Sequence, residues 1–233
     1  MEEKNFDKEA EAIIARYHKR ASKDCSPIYN MATPSCYLSS LEKSEHTLKI
    51  LADNFGCNFI SKKYLEVGCG TGTNLCNLIS WGVQAENLYG NDVFEPSLNK
   101  AKERLPKEVK LQTGNFLDCN YNEKVDVIIF STVLSSILDV NFQCACIKYA
   151  YDLLNEGGII LLYDFVYDNP KNKDVKGISL KPLIGLLPWK VVKFNRVTLA
   201  PPIARRLEKM PFLIKVLNAL KIFNTHIIGY LKK

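Results

Sequence analysis

Tyr64-Leu65-Glu66-Val67-Gly68-Cys69-Gly70-Thr71-Gly72-Thr73-Asn74-Leu75 reads as the end of a buried strand, a glycine turn and the start of a helix. Tyr64 to Val67 is apolar apart from Glu66, as suits a parallel strand covered on both faces. Gly68, Gly70 and Gly72 tolerate positive φ and allow a ligand close to the backbone. Thr71 and Thr73 are the N-cap candidates for a helix running to about Trp81. The N–H groups at such a helix start lack intrahelical acceptors and favour a ligand with negative charge or lone pairs. Several nucleotide-binding families place glycines here, so the details decide. The spacing is Gly-x-Gly-x-Gly, and an acid, Glu66, stands two residues ahead of the first glycine. A carboxylate at that point faces the ligand cleft and can hold an ammonium group directly or through water.

The chain beyond the loop alternates helix and strand. Asn87 to Asp92 reads as a second strand with Asp92 at its end, about twenty residues past the loop, where an acid accepts from both ribose hydroxyls of a nucleoside. Val93 then lies against the base. Asp92 also suits an N-cap for the helix opening at Glu95-Pro96, and the two roles are compatible. Residues 95–105 form that helix, and Val109 to Thr113 a third strand. Val125 to Phe130 is a β-branched run that makes a central strand. Ser131 leaves its carboxyl end, the side on which open α/β sheets bind ligands. Phe142 to Leu154 is the next helix, with Gly157-Gly158 supplying its left-handed cap. Ile159 to Tyr163 is another buried strand, which places Asp164 over the cleft.

The Glu-x-Gly-x-Gly-x-Gly pattern resembles the first motif of class I S-adenosylmethionine-dependent methyltransferases. The resemblance implies a Rossmann-like doubly wound α/β fold, with seven strands, mostly parallel, an antiparallel last strand, and helices on both faces. It implies S-adenosylmethionine as cofactor. Its contacts are then Glu66, Gly68, Cys69, Gly70, Thr71, Gly72 and Asn74 in the first motif, and Asp92 and Val93 after the second strand. Gly114-Asn115-Phe116-Leu117-Asp118 resembles the segment that reads adenine; an Asp usually stands where this chain has Asn115. The Asn115 carbonyl can still accept from the adenine amine, and Phe116 adds apolar area. Ser131 completes the set. Lys190 to Leu199 and Thr225 to Leu231 read as the sixth and seventh strands. The tail, with Asn169-Pro170-Lys171, Val197 to Pro202, Arg205-Arg206 and Thr225-His226, is similar to that of a bacterial subgroup, some encoded among surface-polysaccharide genes.

The N-terminal part reads as a cap. Residues 5–20 form an amphipathic helix with Ala10, Ile13, Ile14 and Tyr17 on one face. Residues 21–40, with Ser26-Pro27 and Thr33-Pro34, are loop-like. Leu41 to Phe55 is a second helix closed by Gly56. The division is thus residues 1–55 as a helical lid and 56–233 as the cofactor-binding domain. Methyl transfer to a hydroxyl needs a proton acceptor, and Asp164, His18 and Tyr37 are the candidates in that order.

The 233 residues bound one domain with a substantial core. The charged N-terminus is followed by no apolar leader, and no apolar run approaches the ~20 residues that span a bilayer, so the expected location is the cytoplasm. The eight cysteines are scattered; Cys144 and Cys146 point apart on a helix, and no metal site is expected. Residues 1–170 carry 17 Lys and Arg against 23 Asp and Glu, whereas 171–233 carry 14 against 2. This basic C-terminal part implies an anionic partner: a phosphate-bearing small molecule or glycan, or an anionic membrane surface touched by a basic amphipathic helix over 203–222, interrupted by Pro211. Peripheral association with the inner membrane follows. Nucleic acid is disfavoured, because no aromatic-rich basic stripe is present. Two other functions remain: a docking module that keeps the fold without turnover, and a nicotinamide-dependent oxidoreductase, against which the glycine spacing and Glu66 stand.

Overall fold

The computed structural model describes residues 6–22, 30–169 and 172–233. Ser26-Pro27 and Pro170-Lys171 lie outside them. The sheet has seven strands: β1 (Tyr64–Val67), β2 (Leu88–Asp92), β3 (Lys110–Thr113), β4 (Val125–Ser131), β5 (Leu154–Phe165), β6 (Val191–Leu199) and β7 (Asn224–Lys232). Their order is β3-β2-β1-β4-β5-β7-β6. The first five run parallel, and β7 is antiparallel to both β5 and β6. This is the doubly wound sheet expected from the sequence. The strand order reverses between β1 and β4, so their carboxyl ends border the crevice where such sheets bind ligands.

Helices α1 (Asp7–Ala21), α2 (Pro34–Phe55), α3 (Thr73–Ser80), α4 (Glu95–Arg104), α5 (Val140–Leu153), α6 (Leu180–Ile184), α7 (Pro201–Arg206) and α8 (Pro211–Ala219) cover the strands. Two apolar layers result. One packs Leu65, Ile128, Phe130, Ile147 and Leu162; the other packs Leu51, Tyr64, Leu75, Leu88 and Ile228.

Local chemistry moves several boundaries. α2 begins at Pro34, seven residues before Leu41, because a proline in the first turn costs no hydrogen bond. Leu41 is exposed while Ile50 and Leu51 are buried. Gly72 in a left-handed conformation, not Thr71 or Thr73, is the N-cap of α3. Gly157 is left-handed (φ 75°) but sits inside β5, which begins at Leu154 with a register shift opposite Val125 and Val127. The basic segment 203–222 divides into α7 and α8, and Pro211 opens the second helix.

α1 lies across the sheet's carboxyl edge. Ile13 joins the core, Phe6 stacks on Phe142 at 4.8 Å, and the Glu9–Arg16 ion pair (2.8 Å) clips onto the chain after β4. Arg16 donates to the Ser136 carbonyl at 2.9 Å, and Glu9 accepts from the Leu138 N–H at 2.9 Å.

Candidate cofactor site

A cleft of about 250 Å³ opens at the carboxyl ends of β1 and β4. Glu66, Gly68, Cys69 and Gly70 form its floor, with Asn74 of α3 and Asp92 of β2 beside them. Ser131 and Thr132 form one wall, and Tyr17 and Lys43 reach in from α1 and α2. At Tyr17, Gly68 and Asp92 it continues into an apolar pocket of about 50 Å³ that includes Val93, Asn115, Phe116 and Phe142.

Glu66 is 2% exposed. Asn74 donates to its Oε1, while Oε2 is buried without a hydrogen-bond partner. Burial raises the Glu66 carboxyl to about 7, against the lowering influence of Asn74 and Lys43. Lys43 Nζ donates to Asn74 Oδ1 at 2.9 Å. Burial lowers the Lys43 pKa, and Glu66 opposes that shift. A buried carboxylate oxygen with nothing to accept from is costly, and a cationic or N–H-bearing ligand relieves the cost.

Asp92 organises the loop from the other side. Its Oδ2 accepts from the Gly70 N–H at 2.7 Å and its Oδ1 from the Phe94 N–H at 2.8 Å. Phe94, not Asp92, holds the N-cap position of α4. A carboxylate has about four lone-pair sites, so both oxygens retain capacity toward the cleft. Burial raises the Asp92 pKa, and the two backbone donors restrain the rise.

Two glycines of the motif differ in what they permit. A Cβ at Gly70 (φ 54°) would meet nothing within 4 Å. One at Gly72 would stand 2.7 Å from Leu105 Cδ1. Gly72 thus lets α3 approach the end of α4, and it does not line either cavity. Nor does Thr71, whose carbonyl and hydroxyl accept from Arg104 at 2.9 and 3.1 Å. Of the expected adenine contacts, Asn115 accepts from the Leu117 N–H at 3.2 Å. Phe116 is 3% exposed, within 5.0 Å of Tyr149 and 6.0 Å of Phe130.

The three candidate proton acceptors do not converge. Asp164 is 1% exposed and lines neither cavity. It accepts from the Ser135 N–H at 3.1 Å and the Phe165 N–H at 3.0 Å, which pins the segment after β4 to β5. Burial raises its pKa to about 6. Tyr37 is half-buried in the first turns of α2. His18 is exposed at the end of α1, edge-on to Phe94 at 5.0 Å. Tyr17 also packs on Phe94, at 5.7 Å. Of the other histidines, His226 is buried against Tyr163 and Phe165, and burial lowers its pKa to about 4.

Of Tyr17, Lys43 and Thr132, only Lys43 went unread in the sequence: Tyr17 stands near the end of a helix able to close over a ligand, and Thr132 follows Ser131 at the carboxyl end of a central strand. Tyr17 shared the apolar spacing of a core position. Lys43 had only an indirect signal, the need of Glu66 for a neighbouring cation. Thr132 has φ 58°, a conformation unusual outside glycine. Its N–H donates to the Tyr163 carbonyl at 2.7 Å, which holds it at the cleft wall.

A glycine loop, a buried acid ahead of it and an acid closing the next strand define a nucleoside-binding α/β protein. The chain belongs to a methyltransferase family: the family model described as "Methyltransferase domain" matches residues 60–185. An uncharacterized methyltransferase of Bacillus mycoides (strain KBAB4) is 33% identical over 103 residues, 44% of this chain and 47% of the relative. One from Bacillus anthracis (strain A0248) matches to the same extent. The chain spans about half the length of the curated relatives it matches, 47% in each case. Two solved structures share the fold at 12% identity. N-methyltransferase NodS from Bradyrhizobium japonicum WM9, in complex with S-adenosyl-L-homocysteine, has a TM-score of 0.67 over 95% of this chain and 98% of its own. Magnesium protoporphyrin IX methyltransferase (ChlM) from Synechocystis PCC 6803, with bound S-adenosylhomocysteine, has a TM-score of 0.68 over 97% and 99%. Among the described residues, no helix is long and apolar enough to cross a membrane.

Proposed function

We propose that this protein transfers a methyl group from S-adenosylmethionine to the oxygen of a small-molecule or glycan acceptor that is anionic or phosphate-bearing. The observation that carries the reading is the unpartnered, buried Oε2 of Glu66 in a cleft beside a glycine loop. An α-ammonium supplies what that oxygen lacks. Asp92 has lone pairs for ribose hydroxyls, and the pocket of Val93, Asn115 and Phe116 suits a flat heterocycle. The donor set therefore fits this cofactor.

Bound there, S-adenosylmethionine supplies a methyl group activated by a sulfonium. The chain's own share is position and electrostatics, which in favourable cases lower a barrier by roughly 7–11 kcal/mol. Gly68 and Gly70 would let the ligand approach the backbone, Asp92 would offer lone pairs to its ribose hydroxyls, and Tyr17 of α1 covers one side of the cleft. In this reading residues 1–55 are a cap on the methyltransferase domain of 56–233. For a hydroxyl acceptor, His18 is the proposed proton acceptor, being a titratable group on the cap that touches Phe94 at the turn after Asp92. The basic C-terminal part supports an anionic acceptor and a cytoplasmic protein peripheral to the inner membrane.

Titration calorimetry with S-adenosylhomocysteine, with NAD as control, tests the cofactor. Micromolar binding of the first alone is expected. Binding of NAD alone would overturn the reading of the loop, and binding of neither would leave a docking module without turnover. Methyl acceptance by phosphorylated sugars, or its absence, then tests the acceptor.

A further inference from the structure

α8 is apolar on two sides. Its inner side packs Ile214, with Leu217, against Leu38 of α2, Leu199 of β6 and Ala204 of α7. Its outer side presents Phe212, Leu213, Val216 and Leu220. Phe212, Val216 and Leu220 recur every four residues, so they share one stripe. Lys221 then takes a left-handed φ of 57° and ends the helix, and Ile222 and Phe223 follow it into solvent. Phe212 and Ile222 are each 72% exposed. Apolar side chains exposed together in this way mark an interaction surface.

The charges around the stripe indicate the occupant. Lys209, Lys215 and Lys221 are exposed between the apolar residues, with Arg205 and Arg206 one helix earlier. Residues 209–223 contain no acid. The nearest in sequence, Glu208, accepts from the Ser35 hydroxyl at 2.7 Å. A second copy would bring like charge against like charge. We propose that residues 209–223 dock on an anionic lipid bilayer, with Phe212, Leu220 and Ile222 entering the acyl boundary and the lysines facing lipid phosphates. Docking through this face deepens the peripheral reading and does not depend on what fills the cleft.

The face is tied to the cleft through α2. Glu42 accepts from Asn218 of α8 at 2.7 Å and from the Thr198 N–H of β6 at 2.9 Å. The next residue, Lys43, lines the cleft. A bilayer under α8 therefore lies one helix away from the proposed methyl-transfer site, which suits an acceptor held in the membrane.

Co-sedimentation of the full chain with vesicles of phosphatidylcholine alone, or mixed with phosphatidylglycerol, tests the proposal. Binding to the mixed vesicles, released by 0.5 M salt (on the order of a 4 Å screening length), is expected, with little on neutral ones. A Phe212→Glu/Ile222→Glu variant should lose at least about tenfold in partitioning, since two apolar side chains that would enter the acyl boundary become carboxylates repelled by anionic lipid. The triple Lys209→Glu/Lys215→Glu/Lys221→Glu variant changes only exposed side chains. It should abolish binding to mixed vesicles while its affinity for S-adenosylhomocysteine stays at the wild-type value. Absence of binding by the wild type, equal binding to neutral vesicles, or undiminished binding by the triple variant would overturn the proposal. So would a sedimentation-velocity shift from dimer to monomer in the Phe212→Glu/Ile222→Glu variant without vesicle binding by the wild type, which would assign the face to a second copy.

Discussion

Lys43 and Glu66 meet through one side-chain amide: Asn74 accepts from the Lys43 ammonium at 2.9 Å and donates to the Glu66 carboxylate. The amide keeps a cation and an anion close without letting them pair directly, so Glu66 Oε2 stays buried without a partner in a residue that lines the cleft. Replacing Glu66 by Gln removes the anion and keeps the shape. The expected result is a roughly tenfold to hundredfold loss of S-adenosylhomocysteine affinity, about 1.5–3 kcal/mol for a charge-assisted hydrogen bond. Calorimetry reads it directly, and unchanged affinity would remove Glu66 from the ammonium site.

Proton uptake should mark the same residue. Glu66 is raised from 4.5 to about 7 by burial, so in the ligand-free protein it is largely protonated at mildly acidic pH and only partly so at neutrality. A group raised on folding contributes stability that is full below its unfolded pKa and is lost as pH rises through its folded pKa. The ligand-free protein should therefore lose up to about 3 kcal/mol between pH 4.5 and 7 from this group. Glu66→Gln should flatten that part of the profile in thermal melts. Binding an ammonium ligand at pH 6 should expel the proton, visible as calorimetric heats that depend on the buffer's ionisation enthalpy. Heats independent of buffer would contradict the assignment.

Asp92→Ala removes the acceptor of two backbone N–H groups, Gly70 and Phe94. Stability should fall by about 1–3 kcal/mol, and ligand affinity by about 1.5–3 kcal/mol. Asp92→Asn retains one acceptor oxygen and should lie between. Affinity equal to wild type in a folded Asp92→Ala protein would end the ribose assignment.

Asp164 separates an anchor from a base. Its carboxylate serves the Ser135 and Phe165 N–H groups. Asp164→Asn should lower the melting temperature and leave kcat within about tenfold, whereas loss of a proton acceptor costs roughly 100-fold or more. His18→Ala should show the larger fall in kcat, confined to hydroxyl acceptors.

β4 and β5 were readable from their β-branched apolar runs and β1 from the glycine loop that follows it, and Asp92 because it closes the strand after that loop's helix. α2 was only half readable. Pro34 resembled a loop signal but begins the helix, and periodicity could not say that Lys43 would face Glu66, 23 residues away and on another element. Asp164 was correctly placed at a strand end, but strand position does not reveal that backbone N–H groups would claim both oxygens. Thr71 and Gly72 belonged to the motif yet face α4, where Thr71 meets Arg104 and Gly72 makes room for Leu105, and the spacing of the glycines alone does not say which of them meets a ligand and which a helix. The end of α2 was readable, since Gly56 turns the chain with φ 57° directly after Phe55.

The contrast between Gly70 and Gly72 bears on how this motif can drift over generations. Open space at Gly70 means that a lineage changing its ligand can explore Asn or Asp there, the residues that best tolerate a left-handed backbone. At Gly72 a side chain meets the left-handed φ of 77° and must also push the end of the Leu105 side chain aside. Two letters of one signature thus answer to different constraints, the first to whatever lies in the cleft and the second to the packing of two helices against each other.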